Sequence, residues 1–253
     1  MKSRPLDSGE RILLVDVSNS FTKLALSRDG VIGKVRKIAT SALAAADLQT
    51  LRADRAVVSS VVPSANKVLL ADLPCRALWV NHENAGVRIR YPRPSSIGAD
   101  RLANAAAAVS LGRLPAIVVD FGTAVTFDVI DGSGCYLGGI IAPGLLTAAS
   151  ALHERTALLP LIRVQNITSA IGKSTQQGIR IGLLLGAVGI VREVVMRIAR
   201  ESFSGQHPTV IATGGDAGLV ARLAESGGGR KAIDRIDPLL TLRGLLVIAG
   251  KTR

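Results

Sequence analysis

Two aspartates, Asp16 and Asp120, sit in the same local setting, and that setting suits phosphate chemistry. The first lies in LLVDVSNSFTKLALSRDG, Leu13 to Gly30, and the second in VVDFGTAVTFDVID, Val118 to Asp131. In each, an apolar run ends in Asp and small or polar residues turn the chain. A second strand-like stretch then closes on Asp-Gly, at Asp29-Gly30 and Asp131-Gly132, a strong hairpin signal. Setting Asp16 on Asp120 sets Val15 on Val119, Ser18 on Gly122, Asn19 on Thr123 and Thr22 on Thr126. Backbone N–H groups at such a turn can cradle phosphate oxygens. Small residues let the backbone approach an oxygen closely. The neighbouring carboxylate can hold or orient the cation that neutralises the phosphates. One such aspartate alone would more simply be a turn cap; two in register favour a nucleotide.

The elements that carry these turns repeat as well. A third strand follows each hairpin, at Val31 to Ile38 and Cys135 to Ile141. RAVVSSVVP and RALWVN predict strands at Ala56 to Val62 and Ala77 to Asn81, and the Ala-rich GADRLANAAAAVSLG predicts a helix. In the second half, one long helical pattern begins at Ser174. PTVIATGGDAGLVARLAE predicts a strand, a Gly-Gly turn and a helix. DPLLTLRGLLVIAGK predicts a last helix with Pro238 at its start. No Pro/Ser-rich linker intervenes. The expected boundary falls near Gly112 to Ala116, giving halves 1–114 and 115–253. Two facing lobes, each presenting one hairpin turn to a shared cleft, are the expected arrangement.

Composition narrows the function classes. The 253 residues can bury one large core or two modest ones. Hydrophobic residues at 48% against 20% charged are a soluble globular balance. With aromatics at 3%, aliphatic and small residues must build the core. Cys75 and Cys135 lack paired spacing, which argues against a disulfide framework or zinc site and fits a reducing compartment. His82, His153 and His207 are scattered, so no histidine metal cluster or triad is expected. MKSRPLDSGER lacks the apolar core of a signal peptide. Ile179 to Val191 is too short to span a membrane and is closed by Arg192. A cytoplasmic protein is expected. The net charge of +12 is spread along the chain, with RIRYPRP the densest group. A solvated basic surface, or attraction for a polyphosphate ligand, is expected rather than a nucleic-acid footprint.

With these motifs in order, the sequence resembles the type III pantothenate kinases of the acetate and sugar kinase/Hsp70/actin superfamily, over roughly Ile12 to Ile248. DVSNSFTK looks like the first phosphate motif, GADR like the substrate motif and DFGTAVTFD like the second phosphate motif. GGIIAPG, RTALLP and GKSTQQGI follow in the family's order, and ATGGDA looks like the superfamily's adenosine motif. Each alone is a weak signal; the ordered set is specific. The resemblance implies an α/β fold of two similar actin-like (ribonuclease H-like) lobes, with mixed β-sheets flanked by helices and a nucleotide cleft between them. It implies transfer of the ATP γ-phosphate to the primary hydroxyl of pantothenate, the first step toward coenzyme A. Mg2+ and a monovalent cation, K+ or NH4+, are the implied cofactors, and a homodimer the implied assembly.

Residue by residue, the resemblance puts Asp16, Val17, Ser18, Asn19, Ser20, Phe21, Thr22 and Lys23 in the first phosphate turn. It makes Asp100 the general base, gives pantothenate to Tyr91, Gly98, Ala99 and Arg101, and closes that pocket with Thr175. Asp120 would bind the monovalent cation and Thr123 would contact ATP. The chemistry agrees. Phosphoryl transfer is mostly positioning and charge neutralisation, and a hydroxyl acceptor needs a carboxylate to take its proton. Asp100 stands where a helix should begin, so the dipole is expected to favour its ionised form. Arg101 offers a planar fork for a carboxylate or phosphate. Taken alone, the pair reads better as a plain helix start with a solvent-exposed arginine, and Tyr91 equally as a surface residue biased to extended backbone by Pro92. Gly178, Gly182, Gly186 and Gly189 leave one helix face small, at roughly 1 kcal/mol each relative to Ala. A close helix contact, in the core or in a dimer, is expected to offset that. Ser174 or Thr175 is expected to cap this helix.

Ser18 stands where the family's motif usually has Gly, and Ser20 where it has Thr. If the turn needs φ > 0 at Ser18, the added Cβ would cost ~1–2 kcal/mol. Other readings are a non-catalytic nucleotide-binding regulator of this fold, or a superfamily kinase for another small hydroxyl compound.

Overall fold

The structure, a computed structural model, describes residues 9–226 and 231–251. Up to residue 8, the polar N-terminal stretch lies outside the described residues. The chain forms two compact units. The first holds the described residues up to Gly112, together with Gly134–Leu137 and the stretch from Leu239 onward. The second holds Arg113–Ser133 and Gly138–Pro238.

In the first unit, β1 (Arg11–Val17) is the central strand. Its run from Ile12 to Val17 is buried on both faces, which is why it reads as continuous rather than alternating apolar sequence. β2 (Phe21–Arg28) pairs antiparallel on one side. β3 (Val31–Ile32) and β4 (Arg36–Ala39) both pair with β2. The sequence predicts one strand here; it is broken at Gly33, whose N–H bonds Leu26 O and where a Cβ would lie 3.0 Å from that same oxygen. After α1 (Ala45–Gln49), β5 (Arg55–Ser60) returns parallel to β1. Then α2 (Pro63–Asp72), opened by its proline, leads to β6 (Ala77–Trp79) beside β5. β7 (Arg88–Ile89) and α3 (Ala99–Leu111) follow. α3 ends at Gly112, a left-handed cap that glycine adopts without a Cβ penalty.

The second unit repeats this order. β8 (Ala116–Phe121) is central and β9 (Ala124–Ile130) is its antiparallel hairpin partner, followed by β10 (Cys135–Pro143). The start of β10, Cys135 and Tyr136, belongs to the first unit and pairs with β7. α4 (Leu145–Arg155) and the long α5 (Thr175–Ser202) precede β11 (Thr209–Gly214), which lies parallel to β8. α6 (Ala217–Ser226) and β12 (Arg235–Ile236) complete it. The fold is α/β, with two mixed sheets flanked by helices. In both, the aspartate strand sits between a hairpin partner and a parallel strand.

α7 (Leu240–Ala249), which sequence order puts in the second half, packs in the first unit on α3. Small residues allow it. Gly244 lies so close to the Ala103 carbonyl that no Cβ fits, and Thr241 Oγ1 donates to Asn104 Oδ1 at 2.9 Å, both residues being buried. Among the described residues, no helix is long and apolar enough to cross a membrane.

Candidate active site

Asp16 lies near the C-terminal end of β1, its side chain almost wholly buried. Opposite it on β2 stands Lys23, with Nζ 3.7 Å from Asp16 Oδ2. Abreast of it on β5 stands Ser59. The intervening turn is tied by side chains. Ser18 donates to Phe21 O from both N–H, at 3.1 Å, and Oγ, at 2.8 Å. Thr40, just beyond β4, donates its N–H to Ser20 O and its Oγ1 to Ser18 O. Asn19 and Ser20 are exposed at the tip, and Phe21 carries Lys37 Nζ 3.9 Å above its ring. Ser18 does not have positive φ; among described non-glycine residues only Asp29 and Ser204 do. The strain conceivable for a serine here is therefore absent, and its hydroxyl closes the turn.

Asp120 occupies the matching place on β8, with Thr126 opposite on β9 and Thr213 abreast on β11. The two turns differ by one residue. Val17 pairs Thr22 across residues 18–21, whereas Phe121 pairs Val125 across residues 122–124. Setting Thr22 on Thr126 is thus out of step beyond the turn, and a one-residue slip moves a side chain to the other face. Lys23 is the true counterpart of Thr126. Thr22 is instead buried, its Oγ1 3.1 Å from that of Thr40.

Backbone contacts and one threonine hydroxyl hold this second turn. Gly122 N–H bonds Ala124 O at 3.1 Å. Thr123 O accepts from Gly144 N at 3.0 Å and from Thr147 Oγ1 at 2.6 Å. A Cβ on Gly144 would collide with the Gly122 and Thr123 carbonyls, so the last glycine of GGIIAPG seats the tip. Gly214, the first glycine of ATGGDA, has φ +92. A Cβ there would collide with the Phe121 carbonyl and lie 2.5 Å from Asp120 Oδ1.

The Gly98–Arg101 segment starts α3, with Gly98 as its N-cap. Asp100 Oδ1 accepts the Arg101 N–H at 2.8 Å and folds back over Gly98, where a Cβ would lie 2.5 Å from it. Burial pushes the Asp100 carboxyl above its ordinary range, outweighing the Arg101 N–H and guanidinium that pull it down. This reverses the direction expected from the helix dipole, and it makes the ionised Asp100 carboxylate a stronger base. Ala99 is buried and Arg101 half-buried. Tyr91, 40% exposed, meets Tyr136 edge-on, ring centroids 6.5 Å apart.

The end of β5 joins two of these features within the first unit. Val61 N–H bonds Val17 O at 3.1 Å, and a Cβ at Gly98 would lie 3.5 Å from Val61 Cγ1. The sequence predicts only a strand here; the pair Ser59-Ser60 in an otherwise apolar run is the signal it offers.

Thr175 is the first residue of α5, in the second unit, and is exposed. Ser174 is the cap, its Oγ accepting Gln177 N–H at 3.3 Å, while Gln177 Oε1 accepts Lys173 N–H at 2.7 Å. A Cβ on Gly178, Gly182, Gly186 or Gly189 would meet nothing within 4 Å. Gly172 packs against the Gly178 backbone, where an added Cβ on Gly172 would lie 2.6 Å from the nitrogen; the close helix contact expected along this face is otherwise not made among the described residues.

No group of three or more His, Cys, Asp or Glu among the described residues could cage a metal. One carboxylate beside each phosphate-type turn suits instead a hard cation that takes its other ligands from phosphate and water. The Asp120 oxygen and Phe121 carbonyl that lie close to Gly214 are oxygens of the type such a cation could take.

Solved structures share this fold. One, of a proposed Baf family transcriptional activator from Campylobacter jejuni, has a TM-score of 0.64 at 19% identity, covering 93% of this chain and 96% of that one. The archaeal actin homolog Ta0583 gives 0.53 at 11% identity, covering 96% and 100%. At such identities the likeness is of fold alone. Sequence relatives are nearer. A protein of Akkermansia muciniphila named type III pantothenate kinase is 42% identical over 245 residues, 94% of this chain and 98% of that one. One of the same name from Methylacidiphilum infernorum is 38% identical over 242 residues, covering 94% and 87%. The model of the type III pantothenate kinase family matches residues 12–197. With both phosphate-type hairpins and the Asp100-Arg101 segment inside that match, the chain belongs to the type III pantothenate kinase family.

Proposed function

We propose that this protein transfers the γ-phosphoryl group of ATP to the primary hydroxyl of pantothenate, opening coenzyme A synthesis, with Asp100 as the general base. The observation that carries the role of Asp100 is its setting: a carboxyl made more basic by burial, beside Arg101, at the start of a helix. Ionised Asp100 takes the hydroxyl proton as the oxygen attacks phosphorus. Arg101 pairs with the pantothenate carboxylate, and Gly98, Ala99, Tyr91 and Thr175 line that substrate's site. The turn from Asp16 to Lys23 and the turn at Thr123 hold the ATP phosphates through backbone N–H groups and the Lys23 ammonium. Mg2+ supplies neutralisation of phosphate charge, which speeds a transfer that is otherwise mostly positioning. Asp120 holds the monovalent cation, K+ or NH4+. In support, the residue paired opposite it is the neutral Thr126, where Asp16 faces a lysine.

The protein acts in the cytoplasm as a homodimer, joined along the open glycine face of α5. Gly186→Phe should shift the molecular mass in light scattering from dimer to monomer; an unchanged dimer would remove that face from the interface.

The deciding measurement is ADP release with ATP, Mg2+ and pantothenate, with and without K+. Turnover should require pantothenate and K+, and should fall about 10²–10⁴-fold in Asp100→Asn, the range of general acid–base contributions. A wild-type protein inactive in both K+ and NH4+ would sink the kinase reading. An active Asp100→Asn variant would sink only the base.

A further inference from the structure

Two buried hydroxyls have no role in the site as described so far. Ser59 is 0% exposed and Thr213 is 1% exposed. Neither Oγ has a hydrogen-bond partner among the described residues. Both follow apolar, buried runs: Ala56, Val57 and Val58 precede Ser59, and Val210, Ile211 and Ala212 precede Thr213. A buried hydroxyl without a partner is costly and calls for a reason. Alanine or valine would fill either place without that cost.

Their positions supply the reason. Ser59 is abreast of Asp16 in the β1–β5 pairing, and Thr213 is abreast of Asp120 in the β8–β11 pairing. Residues paired across strands present side chains to the same face. Each hydroxyl therefore shares a face with its motif carboxylate, and the relation recurs independently in each unit. The residues that follow are unlike, Ser60 in one and Gly214 in the other, so the hydroxyl itself is what the two copies retain. Ser27 Oγ is also buried and unpartnered, but it pairs with Ile12. The matching place in the second unit, opposite Ala116, is the apolar Ile130. Ser27 is thus no part of the repeated pattern.

We propose that Ser59 and Thr213 are positioning residues of the phosphoryl-transfer site. When nucleotide and cations bind, each donates its hydroxyl hydrogen to the adjacent carboxylate, directly or through one water. The carboxylate is thereby kept ionised and aimed at its cation. This rests on the kinase reading above for the identity of the ligands.

The test uses the full-length protein and the variants Ser59→Ala, Thr213→Val and Thr213→Ser. Calorimetry measures ADP affinity with Mg2+ and K+ present, and again with Mg2+ or K+ withheld; thermal melts report the nucleotide-free fold. The expected result is about a tenfold loss of ADP affinity in Ser59→Ala and in Thr213→Val, the worth of one hydrogen bond to a charged group. Each loss should vanish without the cation that the neighbouring carboxylate holds. Melting temperatures should be unchanged or higher, and Thr213→Ser should bind like wild type. Unchanged affinity overturns the proposal. So does lowered affinity that persists without cations, or that comes with a lowered melting temperature and no rescue by serine. A wild type that binds ADP but does not turn over would fail the kinase reading while leaving this test readable.

Discussion

The two hairpins hold an aspartate in the same place by opposite means. Around Asp16 the ties are side chains: Lys23 across the ladder, Ser18 and Thr40 in the turn, and Ser60, whose Oγ donates to Asn66 Oδ1 at 2.5 Å and accepts Val62 N–H at 3.3 Å. Around Asp120, besides the Thr147 hydroxyl on Thr123 O, they are glycines, Gly144 and Gly214, pressed against carbonyls of the turn and the strand end. A side-chain tie can be cut singly and leaves its neighbours in place. A backbone seat admits no Cβ at all. One topology thus carries a copy that should lose function by degrees and a copy that should fail abruptly.

The largest difference should appear at the paired positions Ser60 and Gly214. Gly214→Ala combines a left-handed backbone with collision against the Phe121 carbonyl and should cost about 2–5 kcal/mol. Ser60→Ala removes hydrogen bonds at a half-buried site and should cost ~1 kcal/mol. Urea unfolding of the two variants measures both, and equal costs would erase the distinction between the two hairpins.

Asp100, which belongs to the first unit alone, gives an intermediate effect of opposite sign. Its folded pKa is raised by burial. Its contribution to stability is therefore fully present below the ordinary carboxylate value and is lost as pH rises through the raised one. Asparagine does not ionise, so Asp100→Asn should melt higher than wild type at neutral pH. That advantage should disappear in acid, below the ordinary carboxylate value. Wild-type turnover should climb with pH through the same raised value, because the base must be ionised. A variant less stable at neutral pH would contradict the burial argument.

The smallest effect belongs to Ser18→Gly. A turn that needed positive φ would gain from glycine. This turn does not need it, and the Ser18 hydroxyl bond would be lost, so a decrease of about 0.5–1.5 kcal/mol is expected. A more stable variant would show that the first turn follows the glycine logic of the second.

Much of this was legible from residue order. Apolar runs ending in aspartate, and Asp-Gly closing each hairpin, determine strand pairing locally, and both hairpins formed where they were read. The register beyond the turns was not legible, because a single residue of loop length decides whether Thr22 or Lys23 faces Asp16. The direction of the Asp100 shift was hidden for a different reason. The dipole of α3 can be inferred from sequence, but the burial that outweighs it depends on tertiary packing that the local sequence does not show. Ser59 and Thr213 are not legible as site residues from sequence, because a hydroxyl at the end of an apolar run reads simply as strand. Only the pairing of β5 with β1 and of β11 with β8 puts each beside a carboxylate.

The packing of α7 on α3 has a consequence for how the chain is made. Thr241 bonds Asn104 across 137 positions, and all of the second unit is encoded between them. On the ribosome, the α3 face that receives Gly244 must wait, uncovered, while that entire unit emerges. The half translated first is thus the half finished last, and α3, which carries Asp100, gains its packing partner only after the second unit has been synthesised.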